Sequence, residues 1–247
     1  MEENVSILID FDNIIQNPSD TMASILAIVD LLLDRVLDGA QSYAFDVRLY
    51  AGWDELVVGH GGEMQNITYK MSRHAEDVLR NIPGTIIRWR KKHLVTVTIA
   101  RALFENPRLF YVGTYRRKQI SYKLVVGARH EVCCDEARTH YDFLHTLIKK
   151  RKCHFCNQKV QYVSTSEQKL VDSLLCIDAF TLGLKENVRL VLASDDDDFI
   201  PVIFHLVAKG KSIIHLRREE SPTYLKYVQD AEKVLVDFSS NYRVVLL

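Results

Sequence analysis

Residues 190–216, LVLASDDDDFIPVIFHLVAKGKSIIHL, set four consecutive aspartates between two apolar segments. Arg189 to Ala193 has a buried-strand pattern. Phe199 to Ala208 reads as a helix stopped near Gly210, and Ser212 to Leu216 as a further strand. The aspartates therefore occupy a strand-to-helix turn. Two like charges about 4 Å apart cost on the order of 1 kcal/mol in water and roughly 4 kcal/mol near a protein surface. A helix N-terminus returns only about 0.3 to 1 kcal/mol per nearby anion. Capping accounts for one or two of Asp195 to Asp198, so a positive group is expected close by.

The same alternation opens the chain. Val5 to Ile9 is a compact buried-strand pattern ending in aspartate. Between Ser19 and Leu37 the residues Ile25, Ile28, Val29, Leu32, Leu33, Val36 and Leu37 recur at helical spacing, with Ser19 or Asp20 as cap. Phe45 to Tyr50 reads as the next strand. Later, Leu170, Val171, Leu174, Leu175, Ile177 and Phe180 mark an amphipathic helix that Gly183 ends. Thr223 to Gln229 reads as a helix and Val234 to Phe238 as a last strand. The fold class is α/β, with a central, mainly parallel sheet.

Residues 53–160 interrupt this pattern and read as an insertion or elaboration within a single domain spanning 1–247. Thr85 to Arg88, Val95 to Ile99, Leu109 to Val112 and Leu124 to Val126 are strand candidates there, and Glu136 to Lys150 a helix candidate.

Composition narrows the classes. At 247 residues, 47% hydrophobic and 26% charged, the chain can bury a full core and does not have the make-up of a disordered protein. Thirty-two basic and 32 acidic residues cancel, so a polyanion must be held by local patches and cations, not by a global field. The start, MEENVSILIDFDNI, lacks a basic segment and a sufficient apolar core for export, and Ser24 to Leu33 is too short to span a bilayer. A cytoplasmic protein without membrane attachment is expected. Five cysteines, an odd number, argue against a disulfide framework.

In a parallel sheet, functional groups collect beyond the carboxyl ends of the strands. Two of the clearest strands end in acid: one delivers Asp10, Asp12 and Asn13, the other Ser194 and the aspartate run. Aspartate also caps helices and marks turns, which is the ordinary reading of a single acid after a strand. Multiple acids at two strand ends favour a hard divalent cation, since Mg²⁺ binds one or two carboxylates together with waters and phosphates. Asp172, inside the later helix, is a third acid, whose alternative is an exposed position paired with Lys169. Asp178 in the same helix reads as another residue of the polar face.

The segments ILIDFDNI, VRLYAGW, EQKLVDSLLCIDA and LASDDDDFIPVIFHLVAKGKSIIHL, in that order, resemble the NYN domain, in particular its LabA-like branch, within the PIN-like nuclease superfamily. The resemblance covers about residues 4–52 and 160–238. It implies a PIN-like three-layer α/β/α fold and a metal-dependent endoribonuclease acting on RNA, with DNA as the other polymer. Position by position, it implies that Asp10, Asp172, Asp196 and Asp198 hold Mg²⁺ or Mn²⁺, and that Asn13 and Ser194 orient ligands or waters. Asp195 stands where the family's motif has glycine, which shifts the turn or turns an additional acid toward the site. One or two metal ions so held would bind the scissile phosphate and activate a water.

Three basic runs in or beside the elaboration are candidates for substrate contact: Arg88, Arg90, Lys91 and Lys92 around Trp89; Arg116, Arg117 and Lys118 after Tyr115; and Lys149 to Lys152. Cations track phosphates and rings stack on bases in single-strand binding. Solvated surface is the plain alternative. Cys153 and Cys156 form a C-x-x-C pair which, with Cys133, Cys134, His130 or His154, would make a structural Zn²⁺ element near residues 130–156; reduced thiols are the alternative. Cys176 reads as core packing.

Two other functions fit the same residues. A haloacid dehalogenase-like phosphatase would use Asp10 as nucleophile and Asp12 as acid. A non-catalytic RNA-binding or assembly protein would keep the acidic pocket without turnover. Association as a homo-oligomer or within a protein complex is compatible with each.

Overall fold

Val5, Ile7 and Ile9 pack to one side of a strand and Leu8 to the other, all of them fully buried. This strand, β1 (Glu3–Asp10), is the centre of the computed structural model, which describes residues 3–15, 17–38, 40–58, 67–82, 86–111, 115–119, 164–168 and 170–247. Burial on both faces is why the segment is a continuous apolar run and not an alternating one.

From β1 the chain makes one helical turn, α1 (Phe11–Ile14), then α2 (Thr21–Arg35) and β2 (Tyr43–Tyr50). An antiparallel pair, β3 (Asp54–Val58) and β4 (Ile67–Met71), leads to α3 (Arg73–Asn81). Two hairpins follow, β5 (Ile87–Trp89) with β6 (His93–Ile99), and β7 (Ala102–Leu103) with β8 (Asn106–Phe110). A second compact unit spans Arg116–Glu167, where β9 (Tyr115–Gln119) and β10 (Ser164–Gln168) are neighbours. The first unit resumes with α4 (Val171–Gly183), β11 (Val188–Ala193), α5 (Ile200–Ala208), β12 (Ile213–Arg217), α6 (Pro222–Val234), α7 (Phe238–Asn241) and β13 (Tyr242–Leu246).

Seven strands form the main sheet in the order β13-β12-β11-β1-β2-β6-β5. All pairings are parallel except β5 on β6. One face is covered by α2 and α3 through Ile25, Ile28, Val29, Leu32, Ala75 and Val78. The other is covered by α4, α5 and α6 through Leu174, Leu175, Ile203, Leu206, Tyr224 and Ala231. The result is the expected α/β architecture in three layers. Gly183 lets α4 approach α5: a Cβ there would lie 2.6 Å from Leu206 Cδ1. Gly210, at φ +73°, supplies the left-handed turn that ends α5.

Two sequence expectations change. The elaboration anticipated over 53–160 divides, because β5 and β6 extend the main sheet and the separate unit begins only at Arg116. The strand anticipated at Val234–Phe238 is absent: α6 runs on to Val234, and Val234 and Val236 are 75% and 84% exposed. The true last strand is β13, whose Tyr242 and Val245 are buried against the core. Among the described residues no helix is long and apolar enough to cross a membrane. The strand candidate Leu124 to Val126 and the helix candidate Glu136 to Lys150 lie outside the described residues.

Candidate functional site

The chain leaves β1 toward β2 on one side, and β11 flanks β1 on the other, so the strand order reverses at β1. Such a reversal leaves a crevice beyond the carboxyl ends of the two strands. β1 and β11 are parallel with Ile9 opposite Ala193, which brings the next residues, Asp10 and Ser194, side by side. The Ser194 hydroxyl donates to Asp10 Oδ2 at 2.8 Å, and the Asn13 amide donates to the same oxygen. Asn13 Nδ2 also lies 3.4 Å from Ser194 Oγ, which in turn accepts the Asp196 N–H at 3.0 Å. Asp10 is 5% exposed. Burial raises its pKa to about 6 despite the hydrogen bonds from Ser194 and Asn13, and the negative charges of Asp172 and Asp12 push the same way.

The aspartate run divides by alternation. Asp195 accepts from the Arg218 backbone N–H at 2.8 Å and from Arg218 Nε at 2.7 Å. Partial burial opposes its ionisation, but Arg218 outweighs burial and holds the carboxyl below its usual range. Asp197 accepts from Arg217 Nη2 at 3.0 Å and from the Ser221 hydroxyl at 3.2 Å. The positive groups demanded by four adjacent carboxylates are thus Arg217 and Arg218 at the end of β12. Asp195 turns to Arg218, so the residue in the family's glycine position adds no acid to the site, and its backbone does not adopt positive φ.

Asp196 caps the short 3-10 turn Asp197–Phe199 by accepting the Asp198 N–H at 2.9 Å. Asp196, Asp198 and the exposed Asp172 converge electrostatically on Cys176, one helical turn after Asp172 in α4. Burial first, then Asp172, Asp198 and Asp196, push its thiol up to about 11. The structure therefore gathers Asp10, Asn13, Asp172, Ser194, Asp196 and Asp198 at one sheet edge. Among the described residues, no three His, Cys, Asp or Glu side chains close on a single point as a metal cage would require. The half-buried Cys176 packs on the second core cluster, as expected, while its thiol lies within the field of these acids.

Beneath the site is a buried polar column that the sequence reading missed. His215 Nε2 lies 3.0 Å from the Ser194 carbonyl, which can only accept, so the proton is on Nε2. Nδ1 then accepts from Tyr242 at 2.8 Å, and Tyr242 accepts from Tyr224 at 2.8 Å. Burial, and then the charge of Arg217, lower the His215 pKa to about 3, so the ring stays neutral. The available signal was a histidine and an arginine interrupting the apolar strand IIHLR, the strand that follows the aspartate-rich turn and its helix.

Asp178 requires correction. It does not belong to a polar face: it is 1% exposed and accepts from Tyr50 OH and the Phe104 N–H, each at 2.7 Å, with Arg48 Nη2 at 3.5 Å. Asp12, by contrast, is exposed on α1.

The candidate substrate contacts at Arg88, Trp89, Arg90 and Lys91 lie elsewhere. Their hairpin precedes β6, whose start aligns with the start of β2, at the amino-terminal edge of the sheet. That edge is about 25 Å from Asp10 at the usual rise per strand residue. Trp89 Nε1 donates to Asp30 at 2.7 Å, and Arg90 binds Asp34 and Asp30 at 2.8 Å, so both fasten the hairpin to α2. Arg88 and Lys91 are exposed at the same edge. Tyr115, Arg116 and Arg117 lie on β9, whose side chains are outside the described residues. Lys149 to Lys152 and the zinc candidates Cys153 and Cys156, with Cys133, Cys134, His130 and His154, are outside them as well. A cavity of ≈ 1420 Å³ lined by Glu3, Ser42, Lys185, Arg189 and Lys211 also opens at the amino-terminal edge. It holds none of the clustered acids, and the chemistry of the carboxyl edge outweighs its size in locating the site. No protein-family model, curated protein or solved structure matches this chain.

Proposed function

We propose that the chain is a metal-dependent nuclease that hydrolyses phosphodiester bonds, with RNA as the substrate implied by its resemblance to NYN domains. The observation that carries the reading is the meeting of Asp10, Ser194 and the Asp196–Asp198 turn at the reversal point of the sheet, with Asp172 close enough to repel Asp10. The donors are all hard oxygens, and Asp10 is a buried carboxyl that a cation would stabilise in its charged form. That set fits Mg²⁺ or Mn²⁺. Mg²⁺ needs only one or two carboxylates beside its waters, so a closed cage of three is not required.

Asp10 and Asp196 or Asp198 would hold the ion, with the charge of Asp172 reaching both Asp10 and Cys176. A bound ion of this kind supplies an acidified water and neutralises charge on the phosphate. Asn13 and Ser194 fix the Asp10 oxygen, and Ser194 ties it to the turn that carries Asp196.

The test is cleavage of end-labelled single-stranded RNA and matched DNA in Mg²⁺, Mn²⁺ or EDTA. The native chain is expected to cut in either metal and not in EDTA. Asp196→Asn is expected to lose at least about a hundredfold in rate, within the range typical of metal-dependent acceleration. Asp12→Asn is expected to stay within a few-fold in this assay, whereas hydrolysis of a small phosphoester that Asp12→Asn abolishes would favour the phosphatase. Binding of RNA without cleavage by the native chain would favour the non-catalytic reading.

A further inference from the structure

Arg217 is 1% exposed on an interior strand, although a buried guanidinium costs several kcal/mol unless its partners are well placed. Its partners all lead to the acidic turn or to its frame. Nη2 donates to the Asp195 carbonyl at 2.6 Å and to Asp197 Oδ1 at 3.0 Å; Nε donates to the Glu219 carbonyl at 3.0 Å; and the guanidinium carbon lies 4.1 Å above the Tyr224 ring. Residues two apart on a strand share a face. His215, two positions earlier on β12, holds the Ser194 carbonyl on that same side and is joined through Tyr242 to Tyr224. Backbone carbonyls 194 and 195 are thereby fixed from below by adjacent rungs of one strand. Asp197 is drawn to Arg217 and the Ser221 cap of α6.

Resting on the metal-site reading above, we propose that Arg217 is a positioning residue. It pulls Asp197 and the Asp195 carbonyl to one side of the turn, leaving Asp196 and Asp198 as the carboxylates whose charge, with that of Asp172, reaches the Cys176 thiol. Alternate residues of the run are thus assigned opposite tasks, anchoring for Asp195 and Asp197 and ion binding for Asp196 and Asp198. Four successive aspartates are tolerated because β12 supplies the fork that sorts them. Lysine cannot do the same, since an ammonium lacks the planar fork that reaches two carbonyls and a carboxylate together.

The sign of one measurement separates positioning from mere proximity. Removing a nearby positive charge strengthens cation binding if Arg217 acts only through its field, and weakens it if Arg217 arranges the ligands. Mn²⁺ binding to the full chain is measured by titration calorimetry for the native protein, Arg217→Gln, Arg217→Lys and Asp196→Asn, with circular dichroism of each to verify folding. Both Arg217 variants are expected to bind Mn²⁺ about 10- to 100-fold more weakly, the usual effect of losing a group that orients metal ligands. If Arg217→Gln does not fold, Arg217→Lys, which keeps the charge, carries the comparison. Native-like affinity in Arg217→Lys, or tighter binding in Arg217→Gln, overturns the proposal while leaving the metal site standing. A native chain that takes up no Mn²⁺ overturns the site and the proposal together.

Discussion

Ser194 donates its hydroxyl hydrogen to Asp10 across 2.8 Å, linking the ends of two neighbouring parallel strands that lie 184 positions apart in sequence. The bond stabilises the carboxylate form of Asp10, yet burial outweighs it and the group titrates near pH 6. The fold therefore places a carboxyl where ionisation is costly and leaves part of that cost uncompensated by its own side chains.

The cost has a definite pH window. Because the folded pKa of about 6 lies above the ordinary 3.8, the folded chain holds the Asp10 proton more tightly than the unfolded chain. Stability from this group is fully present below pH 3.8, falls as pH rises, and levels off above pH 6. The loss amounts to about 3 kcal/mol. Asp10→Asn should remove it. In EDTA, the stability difference between variant and native protein should be small at pH 4 and grow to about 3 kcal/mol in favour of the variant at pH 7, read from urea unfolding at each pH. A difference that does not vary with pH would contradict this account.

Two acids on α4 should respond in opposite ways. Asp178 closes a buried set with Tyr50, Arg48 and the Phe104 backbone, and Arg48 also donates to the Ala102 carbonyl at 3.1 Å. Asp178→Ala leaves the Arg48 charge without its carboxylate and should cost about 3 to 5 kcal/mol in urea unfolding. Asp172 is exposed and repels Asp10. Asp172→Asn should change stability by less than about 0.5 kcal/mol while abolishing metal-dependent cleavage. Equal destabilisation by the two substitutions would contradict the assignment of one to structure and the other to function.

The contrast also shows what was legible in the sequence. Val5–Ile9 and Leu190–Ala193 announce themselves because strands buried on both faces are mostly apolar, and the acids following them mark the carboxyl edge. Asp10, Asn13, Ser194, Asp196 and Asp198 could be grouped on that basis. Asp178 could not, because its burial depends on Tyr50, 128 positions away. Nor could the sorting of Asp195 to Asp198, since all four look alike until Arg217 and Arg218 at the end of β12 take two of them. At the C-terminus, Val234 to Phe238 has β-branched residues, but the helix before it continues to Val234 and both Val234 and Val236 are left exposed.

The basic hairpin before β6 gives a third prediction. Arg90 is held by Asp34 and Asp30, and Trp89 by Asp30, at the edge opposite Asp10. Arg90→Ala should slightly lower the thermal midpoint and leave RNA affinity and cleavage rate within about twofold, as expected for an exposed ion pair remote from the site. Fluorescence anisotropy with a labelled oligonucleotide checks the affinity. A tenfold loss would show that nucleic acid crosses that edge.

Cys176 is a native reporter of the acidic cluster. Its thiol is pushed up to about 11 by burial and then by Asp172, Asp198 and Asp196, so at pH 8.5 almost all of it is protonated and unreactive. Any cation held by those carboxylates offsets the repulsive part of the shift and lowers the thiol pKa, leaving the part due to burial. Well below that pKa, each unit of lowering raises the thiolate fraction about tenfold. Alkylation of Cys176 by iodoacetamide, followed at the peptide level because the chain has five cysteines, should therefore accelerate severalfold in Mg²⁺ relative to Na⁺ at equal ionic strength. The acceleration should be weaker in Asp196→Asn, which keeps the burial but loses a ligand. An equal rate in Mg²⁺ and Na⁺ would mean that the cation does not settle among these carboxylates.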